Sequence, residues 1–186
     1  MSGRHPARQP AAAAGGGPTA MTTGAGAQQA VEARRISLLV VDDHAIVREG
    51  LRRVLSQLDD MVVVGEASTG EAALELVARR RPEVVLMDAR MPGIGGVVAA
   101  KRIVAEHPDV RVIMFTAHAE QDLLWEALDA GAQGFVLKDS ESAALVGAIR
   151  QVVAGDPYVD PRLAPDFLRQ LSKPRPGSIL SARERE

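Results

Sequence analysis

The sequence predicts an α/β fold, a doubly wound five-stranded parallel sheet covered by helices on both faces. Two observations carry that expectation. Short apolar runs alternate five times with segments whose apolar residues recur at helical spacing. The runs are nearly continuous in apolar character rather than alternating, as strands buried on both faces are. Right-handed crossovers leave few topologies for five such units, and the flavodoxin-like strand order 2-1-3-4-5 is the default.

The first run, Ile36-Ser37-Leu38-Leu39-Val40-Val41, is β-branched at three positions and ends on Asp42-Asp43. Val47, Leu51, Val54, Leu55 and Leu58 then fall at helical spacing, with Arg48, Glu49, Arg52 and Arg53 turned outward. The alternation continues with a strand over 61–66, a helix over 70–80 and a strand over 83–87. The turn Met91-Pro92-Gly93 precedes a helix over 96–106, which His107-Pro108 stops. A fourth strand follows over 110–115, then a helix over 119–130 that ends at Gly131, well placed as a left-handed cap. The fifth strand covers 133–137. Leu145, Ile149, Val152 and Val153 mark the stripe of the last helix.

Flanking segments read differently. Residues 1–34 form an Ala/Gly-rich tail of low complexity, expected to be disordered, and Met21 is an alternative start. Arg4 and Arg8 before an Ala stretch do not make a signal sequence, because the stretch runs into Gly, Pro and Thr. The globular domain is expected over 35–155. Asp156-Pro157 and Asp160-Pro161 are breakers, so 156–179 reads as a linker with a short helix over 165–171. Ser181 followed by Glu184 is a capping-box pattern that begins a helix at 180–186, read as the truncated start of a further domain.

Composition narrows the classes. The net charge of -2 leaves no electrostatic footprint for nucleic acid in these 186 residues. Cysteine is absent, which removes disulfides, thiolate chemistry and Cys-based zinc sites, and fits a cytoplasmic protein. The apolar runs are strand-length, far below the roughly 18 residues of a membrane span, so no membrane partner is expected.

Ligands of doubly wound sheets bind beyond the carboxyl ends of the strands. In this chain those ends carry Asp42-Asp43, Asp88, Thr116 and Lys138, so three carboxylates, a hydroxyl and an ammonium converge on one rim. Each has an ordinary explanation alone: Asp43 as a helix cap, Asp88 as a turn opener, Thr116 as a cap, Lys138 as a solvated charge. Their joint occurrence at successive strand ends points to a site. Clustered carboxylates raise one another's pKa unless a cation intervenes, and an oxygen-rich set suits Mg²⁺ better than zinc. His44 adjoins the acid pair but has no second His or Cys beside it, so it is not read as a metal ligand. His5 and His107 carry no signal.

Four blocks resemble the receiver domains of two-component response regulators: Val40-Val41-Asp42-Asp43-His44, Leu86-Met87-Asp88-Ala89-Arg90-Met91-Pro92-Gly93, Phe115-Thr116-Ala117 and Gly134-Phe135-Val136-Leu137-Lys138-Asp139. The resemblance spans about 36–154. The wording of the blocks, with Leu180-Ser181-Ala182-Arg183-Glu184, is similar to the NarL/FixJ class, in which a LuxR-type helix-turn-helix opens with such a motif. The resemblance implies that Asp88 accepts a phosphoryl group from a sensor histidine kinase. It further implies that Asp43, Asp88 and the Arg90 carbonyl ligate Mg²⁺, with Asp42 acting through water. Lys138 and Thr116 would stabilise the phosphoryl group, while Arg90 and His118 would tune its lifetime. Phe135 would turn inward as the switch residue; an aromatic plugging a strand end is an equal reading of it. A phosphorylation-dependent homodimer would then act on DNA only through the C-terminal domain. Beyond self-phosphorylation and self-dephosphorylation, no enzyme activity is expected.

Gly95 departs from the pattern, since family members often carry Asp there, and a weaker start to the third helix is expected. Three rivals remain. A pseudo-receiver would lack one of the acids or the lysine. A flavodoxin-like cofactor binder needs a Ser/Thr/Gly-rich phosphate loop after the first strand. A haloacid-dehalogenase-type phosphatase wants a second Asp two residues after the nucleophile, where this chain has Arg90.

Overall fold

The computed structural model describes residues 34–117, 121–165 and 168; the N-terminal tail, His118 and the 180–186 motif lie outside the described residues. Strands β1 (Ile36–Val41), β2 (Met61–Ala67), β3 (Val84–Met87), β4 (Arg111–Thr116) and β5 (Gly134–Leu137) alternate with helices. The helices are α1 (Ala45–Leu55), α2 (Gly70–Arg80), α3 (Gly96–Glu106), α4 (Gln121–Asp129) and α5 (Ser142–Val153). A short strand β6 (Tyr158–Val159) follows, and the sheet order is β2-β1-β3-β4-β5-β6, with every pairing parallel.

The order of the first five strands is the predicted one, but the sheet has six strands. The stretch taken as linker from 156 therefore begins with a strand, in which Gly134 pairs with Tyr158 and Phe135 with Val159. Leu163 beyond it is buried. A strand of two residues is too short to show periodicity, and the flanking Pro157 and Pro161 read as breakers.

Alternation along the strands explains the layering. Leu38 and Val40 of β1 pack with Leu51 and Leu55 of α1 and with Leu145, Ile149 and Val152 of α5. Leu39 and Val41 face the other way, onto Ala73 and Val77 of α2 and Ala99, Ala100 and Ile103 of α3. Both faces of the sheet are therefore covered, which is why its strands read as unbroken apolar runs.

The breakers act where the sequence places them. Thr69 caps α2 by accepting the Ala72 N–H at 3.2 Å, and Arg81, in left-handed conformation, ends the helix before Pro82. Gly131 takes φ +87 after α4. Along the β2 edge, the register against β1 shifts between Leu38 and Leu39. Among the described residues no helix is long and apolar enough to cross a membrane.

Candidate functional site

The carboxyl ends of β1 and β3 bring the acids together. Backbone bonds fix both: the Asp88 N–H donates to the Val41 carbonyl at 2.8 Å and the Asp42 N–H to the Ala67 carbonyl at 3.1 Å. Asp42 and Asp88 are 1% and 4% exposed, whereas the Asp43 side chain retains 29%. Single ligand atoms of Asp42, Asp43, His44 and Asp88 all lie within 4.8 Å of one another.

Lys138, just past β5, closes the cluster. Its Nζ lies 2.6 Å from Asp42 Oδ2 and 2.8 Å from Asp88 Oδ2, with the lysine side chain 15% exposed. Its backbone N–H donates to the Thr116 carbonyl at 2.8 Å, which ties the end of β4 to the lysine loop. Burial pushes the Asp88 carboxyl above the usual carboxylate value, despite the opposing hydrogen bond and charge of Lys138. Burial alone would lower the Lys138 ammonium, but its hydrogen bonds to Asp42 and Asp88 outweigh that and raise it.

The loop after β3 is shaped around Asp88. Asp88 Oδ1 accepts the Arg90 N–H at 3.2 Å, and Glu71 at the start of α2 accepts the Ile94 N–H at 3.1 Å. Gly95 holds φ +75 and ψ +161 as the residue before α3, a region only glycine occupies readily. That backbone accounts for Gly95 at the position before α3.

Other candidates fall as follows. Thr116 ends β4 at the same rim, partly exposed. Phe135 is 2% exposed and already packed inward in the core. Arg90 is exposed beside Asp88. Asp43 does not cap α1; His44 takes the position before that helix and makes no side-chain cap.

His44 sits closer to the chemistry than the sequence suggested. Its Nδ1 is 2.8 Å from Asp43 Oδ1 and 3.2 Å from Asp42 Oδ1, and Asp42 Oδ1 also accepts the His44 N–H at 2.9 Å. Adjacency to the acid pair was the only available signal.

The acid set fits a hard divalent cation. Three carboxylates against one ammonium leave two negative charges, and Asp43 Oδ1 is buried without a well-formed hydrogen bond, having only His44 Nδ1 close by.

Comparison with known proteins agrees with this geometry. Residues 38–150 match the family described as response regulator receiver domain. Response regulator GacA of Pseudomonas syringae pv. syringae is 40% identical over 153 residues, 80% of this chain and 72% of the relative. A LuxR-family two-component response regulator from an Aurantimonas species superposes with a TM-score of 0.70 at 34% identity, over 75% of this chain and 99% of that one. The signal receiver domain of the NarL response regulator from Mycobacterium tuberculosis gives 0.63 at 40% identity, over 66% and 98%.

The chain belongs to the response regulator receiver family of two-component signalling. Within it, the similarity to the NarL and LuxR-family regulators places the chain in the NarL/FixJ class.

Proposed function

We propose that Asp88 is the phosphoryl acceptor of this receiver, taking the group from a phosphohistidine of a sensor kinase. The observation that carries the reading is the buried Asp88 carboxylate, 2.8 Å from Lys138 and flanked by Asp42 and Asp43. An Asp88 carboxylate oxygen attacks phosphorus, the P–N bond breaks, and the imidazole leaves with its electron pair and takes up a proton. The product is an aspartyl phosphate. Hydrolysis by water then returns the carboxylate and inorganic phosphate.

Asp42, Asp43, Asp88 and the Arg90 carbonyl would hold Mg²⁺, with Asp42 acting through water. When bound, the ion supplies charge neutralisation for the phosphoryl oxygens. Lys138 supplies a second positive charge from its place between Asp42 and Asp88. It is already oriented, so little reorganisation is needed. The Thr116 hydroxyl would turn to a phosphoryl oxygen, drawing on the same rim. Phe135, packed inward in the core, would occupy the space that movement of Thr116 vacates. Arg90 and His118, two residues beyond Asp88 and Thr116, would set the lifetime of the acyl phosphate.

The downstream reading is a phosphorylation-dependent homodimer that regulates transcription in the cytoplasm through a helix-turn-helix opened by Leu180-Ser181-Ala182-Arg183-Glu184. The test of the core proposal is intact mass after incubation with Mg²⁺ and acetyl phosphate, beside Asp88→Asn. One added phosphoryl group that requires both Mg²⁺ and Asp88 is expected. No gain by a folded chain would turn the reading to a pseudo-receiver that works by binding alone.

A further inference from the structure

We infer that Asp160, together with Arg162, is a positioning residue that holds the Lys138 loop in place for phosphoryl transfer. The inference rests on the function proposed above and adds a part of the chain that the strand-end motifs leave out.

Asp160 follows β6 and is 3% exposed. A carboxylate that merely shaped a turn would need one local N–H; this one accepts from several donors on two segments. Asp160 Oδ2 accepts the Ser140 hydroxyl at 2.6 Å and, at a long 3.5 Å, the Leu137 N–H. Its Oδ1 accepts the Arg162 backbone N–H at 3.0 Å and Nε at 3.2 Å, while Oδ2 accepts an Arg162 terminal nitrogen at 3.1 Å. Arg162 also donates to the Ser140 hydroxyl oxygen and reaches Asp139 Oδ1 at 3.0 Å. The Asp160 N–H donates to the Phe135 carbonyl at 2.8 Å, so its own backbone is fastened to β5.

These contacts surround one residue. Leu137, Asp139 and Ser140 flank Lys138, and each is engaged by Asp160 or Arg162. Lys138 itself points its ammonium at Asp42 and Asp88, while Arg162 pairs with Asp160. A lysine has a long, flexible stem, so the precision of its ammonium depends on where its backbone is held. Transfer chemistry is sensitive to displacements of about 1 Å, which makes the clamp a lever on rate.

The test uses the full chain with Mg²⁺ and acetyl phosphate, comparing wild type, Asp160→Asn, Arg162→Ala, Lys138→Ala and the Asp160→Asn/Lys138→Ala double variant. Asp160→Asn is expected to lower the maximal phosphorylation rate about tenfold while changing the half-saturating acetyl phosphate less than about twofold. In the Lys138→Ala background the same change should add less than about twofold, since a residue acting through Lys138 has nothing left to position. Equal factors in both backgrounds, or an unchanged rate in both single variants, would overturn the inference. Should Asp160→Asn fail to fold, Arg162→Ala at the half-exposed guanidinium carries the same cycle. The ¹⁵Nζ signal of Lys138 separates the two proposals. If wild type gains no phosphoryl group, the acceptor reading fails; Asp160→Asn must still shift or broaden that signal, and an unchanged signal sinks the clamp.

Discussion

Gly96 presses its backbone against Asp88: a Cβ built on Gly96 would lie 1.7 Å from the Asp88 carbonyl oxygen and 2.8 Å from its carbonyl carbon. The first residue of α3 thus touches the main chain that carries the central carboxylate. Gly96→Ala must displace one of the two. The expected cost exceeds the ~1–3 kcal/mol usual for overpacking, because backbone cannot swing aside as a side chain does. Urea unfolding would measure it, and a loss below about 1 kcal/mol would show that the contact relaxes cheaply.

Asp88→Asn should stabilise the protein while abolishing phosphorylation. Burial raises the Asp88 carboxyl, so the folded state holds its proton more tightly than the unfolded chain does. Stability from this group therefore falls as pH rises from the unfolded value through the folded one, and at neutral pH the ionised carboxylate opposes folding. Removing it should therefore raise Tm in metal-free buffer. A lowered Tm would contradict the assignment.

Lys138→Ala should do the reverse. It leaves Asp42 and Asp88 buried without their shared cation, a loss of up to about 3–5 kcal/mol for a broken buried pair. Millimolar Mg²⁺ should restore more of the Tm in this variant than it adds to wild type, since the added charge replaces the one removed. Equal Mg²⁺ shifts in both proteins would argue against a shared site.

Asp160 supplies the pH dependence at the acid end. Burial works against its ionisation, but bonds from Arg162, Ser140 and the Arg162 and Leu137 amides hold its carboxyl at about 2, below the usual 3.8. A depressed carboxylate contributes stability that is fully present above the unfolded value and lost as pH falls through the folded one. The window is therefore about pH 4 down to 2. At about 1.4 kcal/mol per pH unit the gap corresponds to roughly 2 kcal/mol, and the half-exposed Arg162 guanidinium reduces it toward 1. Acid unfolding of Asp160→Asn against wild type measures it: the two curves should converge near pH 2, and parallel curves would refute the assignment.

Much of this was legible in the chain. α2 and α3 occupy the residues read for them, with His107-Pro108 as the stop the sequence shows for α3 and with Thr69 and Arg81 bounding α2 in the structure. Asp42, Asp88 and Lys138 were readable because a parallel sheet delivers its strand ends to one rim. Asp160 was not, since Ser140 and Leu137 lie 20 and 23 residues before it and only the fold joins them. β6 and the buried Leu163 were likewise missed, because a strand of two residues carries no periodic signal.

The two margins of the sheet have a consequence for life in a crowded cell. Exposed strand edges are templates on which other chains can polymerise. On one side that edge is β6, only two residues long and bracketed by Pro157 and Pro161, which have no N–H to offer. On the other, the register irregularity against Leu38 and Leu39 interrupts the seven-residue β2. Such a break bends a strand out of plane and deprives an incoming strand of a straight ladder. Both margins of the sheet are thereby made poor templates for an incoming chain.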